Sequence, residues 1–451
     1  MKQHDFTNGS VMRQLYQFST PILLANLLQV SYQFIDSLWI GNLLGAQQLG
    51  AVTVASTIIF TVLSLIIGFN NAALTILSQY KGSGQQKGLA SYLNAFVVVL
   101  SSLSVILGVV GITFSNDILR FLGTPKEMME DANIYLQINF LGILFLFGYN
   151  FISTVLRSVG DSKTPLKFVF LAVLLNTCLD PILIKSVDLG MSGAAYATVI
   201  SQGVAFLYGL FYILKKRLVP FSIPHIPKQQ EVWTILKLGI PAGLQMMVIS
   251  GGVMAIMSVV NQFGKDVVAG FGAAQRLDSI IMLPAHALGT AVNSMAGQNI
   301  GAKKWDRVEK IALYGAIYNF IVMTLFAILT FVFARASISL FIDHKTSIQV
   351  GTSYLQWISF FYPLLGLNFV LNGVVRASGA MFQVLILNII SFWVLRYPLT
   401  FVFANWLGEK GIAIGMGISF TISSIFAFMY YRFGGWRKKS MVEKRKVRAS
   451  N

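Results

Sequence analysis

Apolar stretches long enough to cross a bilayer follow one another along almost the whole chain, and they constrain the fold more than any motif does. A spanning helix needs about 20 predominantly apolar residues. The runs between charged or Gly/Pro-rich breaks predict twelve spans, near 12–44, 49–79, 89–115, 129–156, 165–185, 190–214, 233–262, 268–299, 308–334, 346–375, 382–406 and 410–432. Only 11% of the 451 residues are charged, against about a quarter in soluble domains. The sequence therefore predicts an all-α polytopic membrane protein, whose first apolar run remains as a helix because it lacks a signal-peptide cleavage pattern.

The two halves of the chain repeat at an offset of 219 residues. The matching residues are Gly45 and Gly264, Gln79 and Gln298, Gly82 and Gly301, Tyr135-Leu136-Gln137 and Tyr354-Leu355-Gln356, Arg157 and Arg376, and Gly160 and Gly379. A fixed offset through four successive spans predicts two pseudo-symmetric six-helix bundles in the same orientation, an architecture that suits alternating access. The predicted parts are a first bundle (1–214), a cytoplasmic linker (215–232), a second bundle (233–433) and a basic cytoplasmic tail (434–451).

The formal net charge of +17 is distributed unevenly over the loops. Most Lys and Arg residues lie at the chain ends and in the even-numbered loops, a bias that marks the cytoplasmic side. Both termini are therefore predicted to be cytoplasmic. The densest basic run begins at Arg432, next to the last span, where contact with anionic membrane lipid is expected rather than nucleic-acid binding.

The first span carries one ionisable side chain, Asp36, in an otherwise apolar run. An ionised Asp at the centre of a membrane helix costs roughly 2.5–3.5 kcal/mol on insertion scales, so such residues usually mark an ion or substrate path. Gln29, Tyr32 and Gln33 lie on the same side of the helix and extend a polar stripe. The alternative is a neutral carboxyl group held by a structural hydrogen bond.

The fifth and sixth spans add polar residues at helical spacing. Asn176 and Asp180 are four residues apart, as are Thr198 and Gln202, so each pair shares one helix face. If helices one, five and six are neighbours, Asp36 lies in one pocket with Asn176, Asp180 and Thr198. Two carboxyl groups in a dry pocket cannot both ionise cheaply, which suits a site that gains and loses a proton. The same oxygens could instead hold Na⁺.

Other intramembrane polar residues allow two interpretations each. Asn70 either joins helices or lines a cavity. Arg276 and Asp278 are two residues apart and do not face the same way, so Arg276 either meets an anionic group elsewhere or makes a bundle contact. His286 is interpreted as a core residue more readily than as a proton relay, and Arg396 as a side chain that snorkels. The predicted substrate cavity is lined by Gln29, Tyr32, Gln33, Asn70, Gln202, Arg276 and Asp278.

Enzyme chemistry and metal binding find no support in the composition. The chain has a single cysteine, Cys178, and four histidines far apart in sequence. They form no metal-ligand spacing and no nucleophile–base set. We therefore expect no enzyme activity, no resident metal and no cofactor.

Several motifs together resemble the multidrug and toxic compound extrusion (MATE) family, with the greatest similarity to its DinF-like branch in prokaryotes. Pro21 precedes Asp36 by fifteen residues, and the other motifs are LLNTCLDP, VLRSVGDSKTP, VVRASGA, SQYKGSG and GQNIGAKK. The resemblance covers nearly the whole chain. It implies two six-helix bundles in a prokaryotic cell membrane, and the exchange of H⁺ or Na⁺ for organic, often cationic, compounds by a transporter expected to act as a monomer.

The resemblance also assigns roles to individual residues. It places the proton- or cation-coupling pocket at Asp36, Asn176, Asp180 and Thr198, and a bend of the first helix near Pro21. Sodium-coupled relatives carry carboxylates on helices seven and ten, whereas residues 233–262 and 346–375 contain none here. This favours H⁺ as the coupling ion, with Na⁺ still possible. A flippase for lipid-linked precursors is the nearest alternative, and it would require a more basic cavity.

Overall fold

Residues 5–221 and 224–441 are described by a computed structural model of the chain, and these residues form helices and short connections without a strand. The α-helices are α1 (Val11–Leu43), α2 (Ala46–Gly82), α3 (Gln86–Phe121), α4 (Lys126–Leu141), α5 (Ile143–Ser158), α6 (Lys163–Pro181), α7 (Gly190–Lys216), α8 (Gln229–Val260), α9 (Lys265–Ile281), α10 (Leu283–Gly301), α11 (Trp305–Ser339), α12 (Lys345–Ser359), α13 (Tyr362–Ala377), α14 (Met381–Ile389), α15 (Tyr397–Leu407) and α16 (Glu409–Phe433). Two π-helical turns, Ile182–Ser186 and Ile390–Arg396, follow α6 and α14. The part of the predicted basic tail beyond residue 441 lies outside the described residues.

These helices correspond to the twelve predicted spans, because four spans consist of two consecutive helices: α4–α5, α9–α10, α12–α13 and α14–α15. By length and hydropathy, eight of the described helices could cross a membrane, and ten spans result if the bent pairs α4–α5 and α12–α13 each count as one. The bend is 52° in the first pair and 55° in the second. Helix α1 and the pair α9–α10 are outside that count, and they include the polar residues around Asp36 and Asp278.

The described residues divide into two compact units. Unit 1 includes Thr20–Ile240, and unit 2 combines Phe6–Ser19 with the chain from Pro241 onward. Both α1 and α8 therefore change unit partway along, close to Pro21 and directly before Pro241. The predicted domain boundaries at residues 214 and 233 lie instead near the junction of α7 and α8. These boundaries stay a prediction.

Within unit 1, α2 packs against α4 and α5, and α7 packs against α4, α5 and α6. Gly142 lies at the bend between α4 and α5, and the two methyl groups of Val199 on α7 are 2.5 Å from the place where a Cβ atom would be. The absence of a side chain at Gly142 therefore allows α7 to approach the bend.

The segment between the two repeats is anchored on α3 rather than hanging free. Asn94 forms two hydrogen bonds with the backbone of His225, donating to its oxygen (2.8 Å) and accepting from its N–H (3.0 Å). Glu231 in the first turn of α8 accepts hydrogen bonds from the Ser91 hydroxyl and from the Lys228 N–H. The predicted linker thus combines exposed side chains, such as Ile226, with a fixed backbone.

Within unit 2, α9 packs against α12, α10 against α11 and α13, and α16 against α12, α13 and α15. Residues Phe6–Ser19 belong to this unit as well. The Phe6 N–H donates to Gln298 Oε1 (3.2 Å), and Phe6, Leu15 and Phe18 are at most 1% exposed. The Arg307 side chain donates to the backbone oxygens of Phe6, Asn8 and Gly9 and to Gln14 Oε1. We call residues 6–9 the N-terminal strap.

Candidate ion-coupling site

Helices α1, α6 and α7 bring the four predicted coupling residues together in unit 1. Their exposed fractions are 7% for Asp36, 0% for Asn176, 0% for Asp180 and 5% for Thr198. A buried carboxyl group must be hydrogen-bonded, paired or neutralised by a proton. The polar contacts of this pocket therefore determine which ions it can hold.

The carboxyl groups of Asp36 and Asp180 lie within electrostatic and hydrogen-bonding range of each other. Ionised carboxylates only accept hydrogen bonds, so a hydrogen bond between the two groups would require a proton on one of them. Asn176 Nδ2 donates to Asp180 Oδ1 at 3.2 Å. Among the described residues, Asp36 Oδ1 and Asp180 Oδ2 have no hydrogen-bond partner. The pocket thus contains a carboxyl pair that binds one proton readily. Ionisation of both carboxyl groups at once is costly, because the two negative charges repel each other.

Two tyrosines complete the pocket. Tyr32 donates its hydroxyl hydrogen to Thr198 Oγ1 (3.0 Å), and the hydroxyl group of Tyr135 on α4 also lies within interaction range of Thr198. Both phenol groups lie within electrostatic range of Asp36 and Asp180. In the sequence Tyr135 stands out only as a member of the repeated triplet, and that repetition was the available signal of a site residue.

The local structure of α6 explains how its two polar residues are placed. Asn176 and Asp180 are one turn apart, which puts both side chains on one face. Pro181 follows at once and has no N–H to continue the helical ladder, and the chain passes into the π-helical turn Ile182–Ser186. Single π-helical turns are frequent at functional sites.

The other predicted cavity residues of unit 1 are not all at this pocket. Gln29 donates to the Tyr149 hydroxyl on α5 at 3.4 Å, and Gln33 is exposed. Gln202 is half-buried one turn beyond Thr198. Asn70 is half-buried on α2, and its Oδ1 has no donor among the described residues. Of the predicted cavity residues, Tyr32 alone has a hydrogen bond to one of the coupling residues in the described structure.

Arg276 and Asp278 belong to unit 2, and their side chains differ as their spacing predicts. Arg276 is exposed, whereas Asp278 accepts hydrogen bonds from the hydroxyl groups of Tyr354 (3.0 Å) and Tyr362.

The structure contradicts the interpretations of His286 as a core residue and of Arg396 as a side chain that snorkels. His286 is not in the core, since it is exposed, and its ring lies tilted by 55° against that of Phe369, with 4.3 Å between the ring centroids. Arg396 does not snorkel, because it is only 5% exposed. Its guanidinium lies over the rings of Phe392 (3.7 Å) and Phe420 (4.6 Å).

Metal ligands do not cluster in the described ranges 5–221 and 224–441. No three His, Cys, Asp or Glu side chains come together there in a group that could hold a metal ion. Carboxyl, amide and hydroxyl oxygens are the polar atoms of the pocket around Asp36.

An all-helical chain of two repeated bundles with a buried carboxyl pair has the architecture of a secondary membrane transporter. The MatE family model matches residues 21–182 and 241–402, which is one match in each half and most of the chain. The chain belongs to the MATE family. It is a multi-pass membrane transporter and not an enzyme, as the sequence predicts.

Similar proteins include the probable multidrug resistance protein YpnP of Bacillus subtilis, which is 61% identical over 97% of this chain and 98% of its own length. The probable multidrug resistance protein NorM of Thermotoga maritima is 24% identical over 97% of this chain and 96% of its own. A solved outward-facing multidrug resistance MATE transporter has a TM-score of 0.91 at 23% identity, covering 98% of this chain and 99% of its own. The predicted fold class, with twelve helices in two six-helix bundles, is confirmed.

Proposed function

We propose that the protein is a proton-coupled antiporter that exports amphipathic, often cationic, organic compounds from the cytoplasm by alternating access. The substrate class is supported by the relatives named as probable multidrug resistance proteins. The coupling ion is supported by the carboxyl pair of Asp36 and Asp180, which is the observation that carries the proposal.

The shared proton gives a simple means of exchange. With the pair deprotonated, the pocket holds excess negative charge and favours a bound organic cation. A proton arriving from outside neutralises that charge, rearranges the hydrogen bonds to Asn176, and favours the state without substrate, with a bend of α1 near Pro21. A ligand shifts such an equilibrium only by its different affinities for the two states. The proton must therefore bind the substrate-free state more tightly.

Sodium is the second candidate, because the pocket offers several oxygens. Besides the two carboxyl groups and Thr198 Oγ1, Asn176 Oδ1 is buried without a hydrogen-bond donor. A sodium ion needs several oxygen ligands at once, whereas a proton needs one carboxylate and one neighbour. The closeness of the two carboxyl groups, which makes the ionisation of both costly, favours the proton.

Transport of a lipid-linked precursor is less well supported. A pyrophosphate headgroup requires accessible positive charge in the cavity. Arg396 is enclosed between Phe392 and Phe420, which leaves Arg276 as the exposed candidate. The acidic pocket of unit 1 suits a cationic substrate better.

We propose further that both termini are cytoplasmic, because positive charge concentrates at the ends and in the even-numbered loops. The protein would then lie in a prokaryotic cell membrane with its basic segments against anionic lipid. One chain contains the whole carboxyl pocket, which supports action as a monomer.

The test is drug efflux from proteoliposomes driven by a pH gradient, with and without sodium. Asp36→Asn keeps the shape of the side chain and removes its ionisation. We expect the initial rate of proton-driven efflux to fall at least about tenfold, equivalent to about 1.4 kcal/mol. Ser37→Ala is the matched control, since Ser37 bonds only to the Gln33 carbonyl of its own helix.

Full proton-driven efflux by Asp36→Asn would exclude Asp36 as the coupling residue. Efflux that requires a sodium gradient and ignores the pH gradient would replace the proton by Na⁺. Transport of a fluorescent lipid-linked sugar in place of organic cations would support the flippase instead.

A further inference from the structure

Unit 2 contains a polar pocket at the place where the repeat puts the coupling pocket of unit 1. The two family matches, 21–182 and 241–402, are offset by 220 residues. At that offset Arg396 takes the position of Asn176, and Thr400 that of Asp180. Tyr354 is the partner of Tyr135 at the offset of 219 residues that relates the first four spans to their repeats. The second pocket therefore keeps its tyrosine and replaces an amide by a fixed positive charge.

Its acid comes from a different helix. Ile256 occupies the position equivalent to Asp36, and the carboxylate is supplied by Asp278 of α9. Both oxygens of Asp278 accept hydrogen bonds from phenol groups, Oδ2 from Tyr354 and Oδ1 from Tyr362. Tyr354 is 4% exposed and Tyr362 is 1% exposed, so both donors are withdrawn from solvent.

The two tyrosines lie on either side of a bend. Tyr354 belongs to α12 and Tyr362 is the first residue of α13, and these helices meet at 55°. Asp278 thus connects both arms of a broken span through one carboxylate. Hydrogen bonds to an ionised acceptor are about twice as strong as neutral ones. The charge on Asp278 consequently determines how firmly the two arms are held to α9.

The surroundings of this carboxylate contain one buried positive charge. Arg396 acts electrostatically on Tyr354 and bonds to Ser419 Oγ at 3.4 Å. In the described part of the chain no carboxylate forms an ion pair with Arg396. The Arg396 guanidinium lies over the rings of Phe392 and Phe420. Aromatic faces attract a cation without neutralising its charge.

The charged and titratable groups around Asp278 are few. The packed elements supply Tyr354, Tyr362 and Arg396, and Arg276 on α9 itself is exposed. The adjoining middle of α11 and the part of α8 in unit 2 have no charged residue. No second carboxylate is present here to share a proton, in contrast to the pair in unit 1.

We propose that Asp278 is a second proton-binding site, located in unit 2, and that its protonation loosens the hold on the bend between α12 and α13. The proton converts two charge-assisted hydrogen bonds into weaker neutral ones and leaves Arg396 as the uncompensated charge of the pocket. Its role in transport rests on the proposed proton coupling, whereas the protonation itself does not.

The experiment therefore measures protonation without transport. Infrared difference spectra of the purified protein, taken between about pH 5 and about pH 9, record carboxylic acid C=O bands of buried groups. Asp36→Asn/Asp180→Asn removes the pair in unit 1. We expect one acid band to remain in this variant and to disappear when Asp278→Asn is added. Asp266→Asn is the matched control, because this aspartate lies on the same helix with 39% of its side chain exposed.

Two results would overturn the proposal. The first is an acid band that is unchanged by Asp278→Asn, and the second is an Asp278 that stays ionised over the whole range. If the triple variant does not fold, Tyr354→Phe/Tyr362→Phe in the Asp36→Asn/Asp180→Asn background provides the second measurement. Loss of both phenol donors should move the remaining band to higher wavenumber, and an unmoved band contradicts the assignment.

The infrared result and the efflux result are separable. An Asp278 band in a protein that shows no proton-driven efflux would leave the second proton site in place and refute the proposed coupling. Proton-driven efflux without that band would leave the coupling in place and refute the second site.

Discussion

Asp36 and Asp180 are the residues on which the proposed coupling depends, and their proximity follows from packing that the local sequence does not encode. The spacing of Asn176 and Asp180 fixes their common face, as helix geometry predicts. The adjacency of α1, α6 and α7 was supplied only by resemblance to a family. Tyr135 was missed as a pocket residue because its contact with Thr198 depends on how α4 packs against α7.

The hydrogen bond between Tyr32 and Thr198 can be tested by mutation of each partner. Thr198→Val preserves the shape and removes the acceptor, leaving the buried Tyr32 hydroxyl without its partner at a cost of about 1–3 kcal/mol. Tyr32→Phe removes both the hydroxyl and that cost. In a double-mutant cycle on chemical unfolding in detergent, the double variant should be less destabilised than the sum of the single variants. Strict additivity would show that the two hydroxyl groups do not interact.

Helix ends were easier to predict than helix bends. The run predicted at 12–44 matches α1 at Val11–Leu43, because apolar length alone defines a span. The runs at 129–156 and 346–375 were predicted as single spans, and each is divided into two helices. Hydropathy does not register such a break, since the residues on both sides are apolar and the bend is set by neighbouring helices.

Gly142 at the first bend allows that argument to be tested. Its Cβ would lie 2.5 Å from the Val199 methyl groups, so Gly142→Ala should destabilise the protein by about 1–3 kcal/mol through overpacking. Val199→Ala on α7 provides the missing space. We expect Gly142→Ala to lower the apparent melting temperature and Gly142→Ala/Val199→Ala to recover most of the loss. Equal melting temperatures for wild type and Gly142→Ala would contradict the close packing.

The whole molecule shows how far the repeat predicts architecture. Two bundles of six helices follow from a constant offset between the halves. The chain before Pro21 lies outside the repeated segment, so no symmetry argument could assign Phe6–Ser19 to unit 2. Within unit 2, the side chains of Arg307 and Gln298 hold backbone groups of the strap.

Removal of the Arg307 side chain should release the N-terminal strap. Arg307→Ala loses hydrogen bonds to three backbone oxygens and to Gln14. We expect amide hydrogen exchange around residues 6–14 to accelerate by at least about tenfold, or about 1.4 kcal/mol of local stability. Lys310→Ala is the control on the same helix, because Lys310 is exposed. Unchanged exchange in Arg307→Ala would show that the strap is held by other contacts.

The strap also fixes an order of events during synthesis. Phe6 is synthesised before its partner Gln298, which is 292 positions further along the chain. At about 5–20 residues per second, that partner is made roughly 15–60 s later. Until then the aromatic side chains of Phe6 and Phe18 lack the surface that buries them. The N-terminal strap therefore reaches its native place only after α10 has been made.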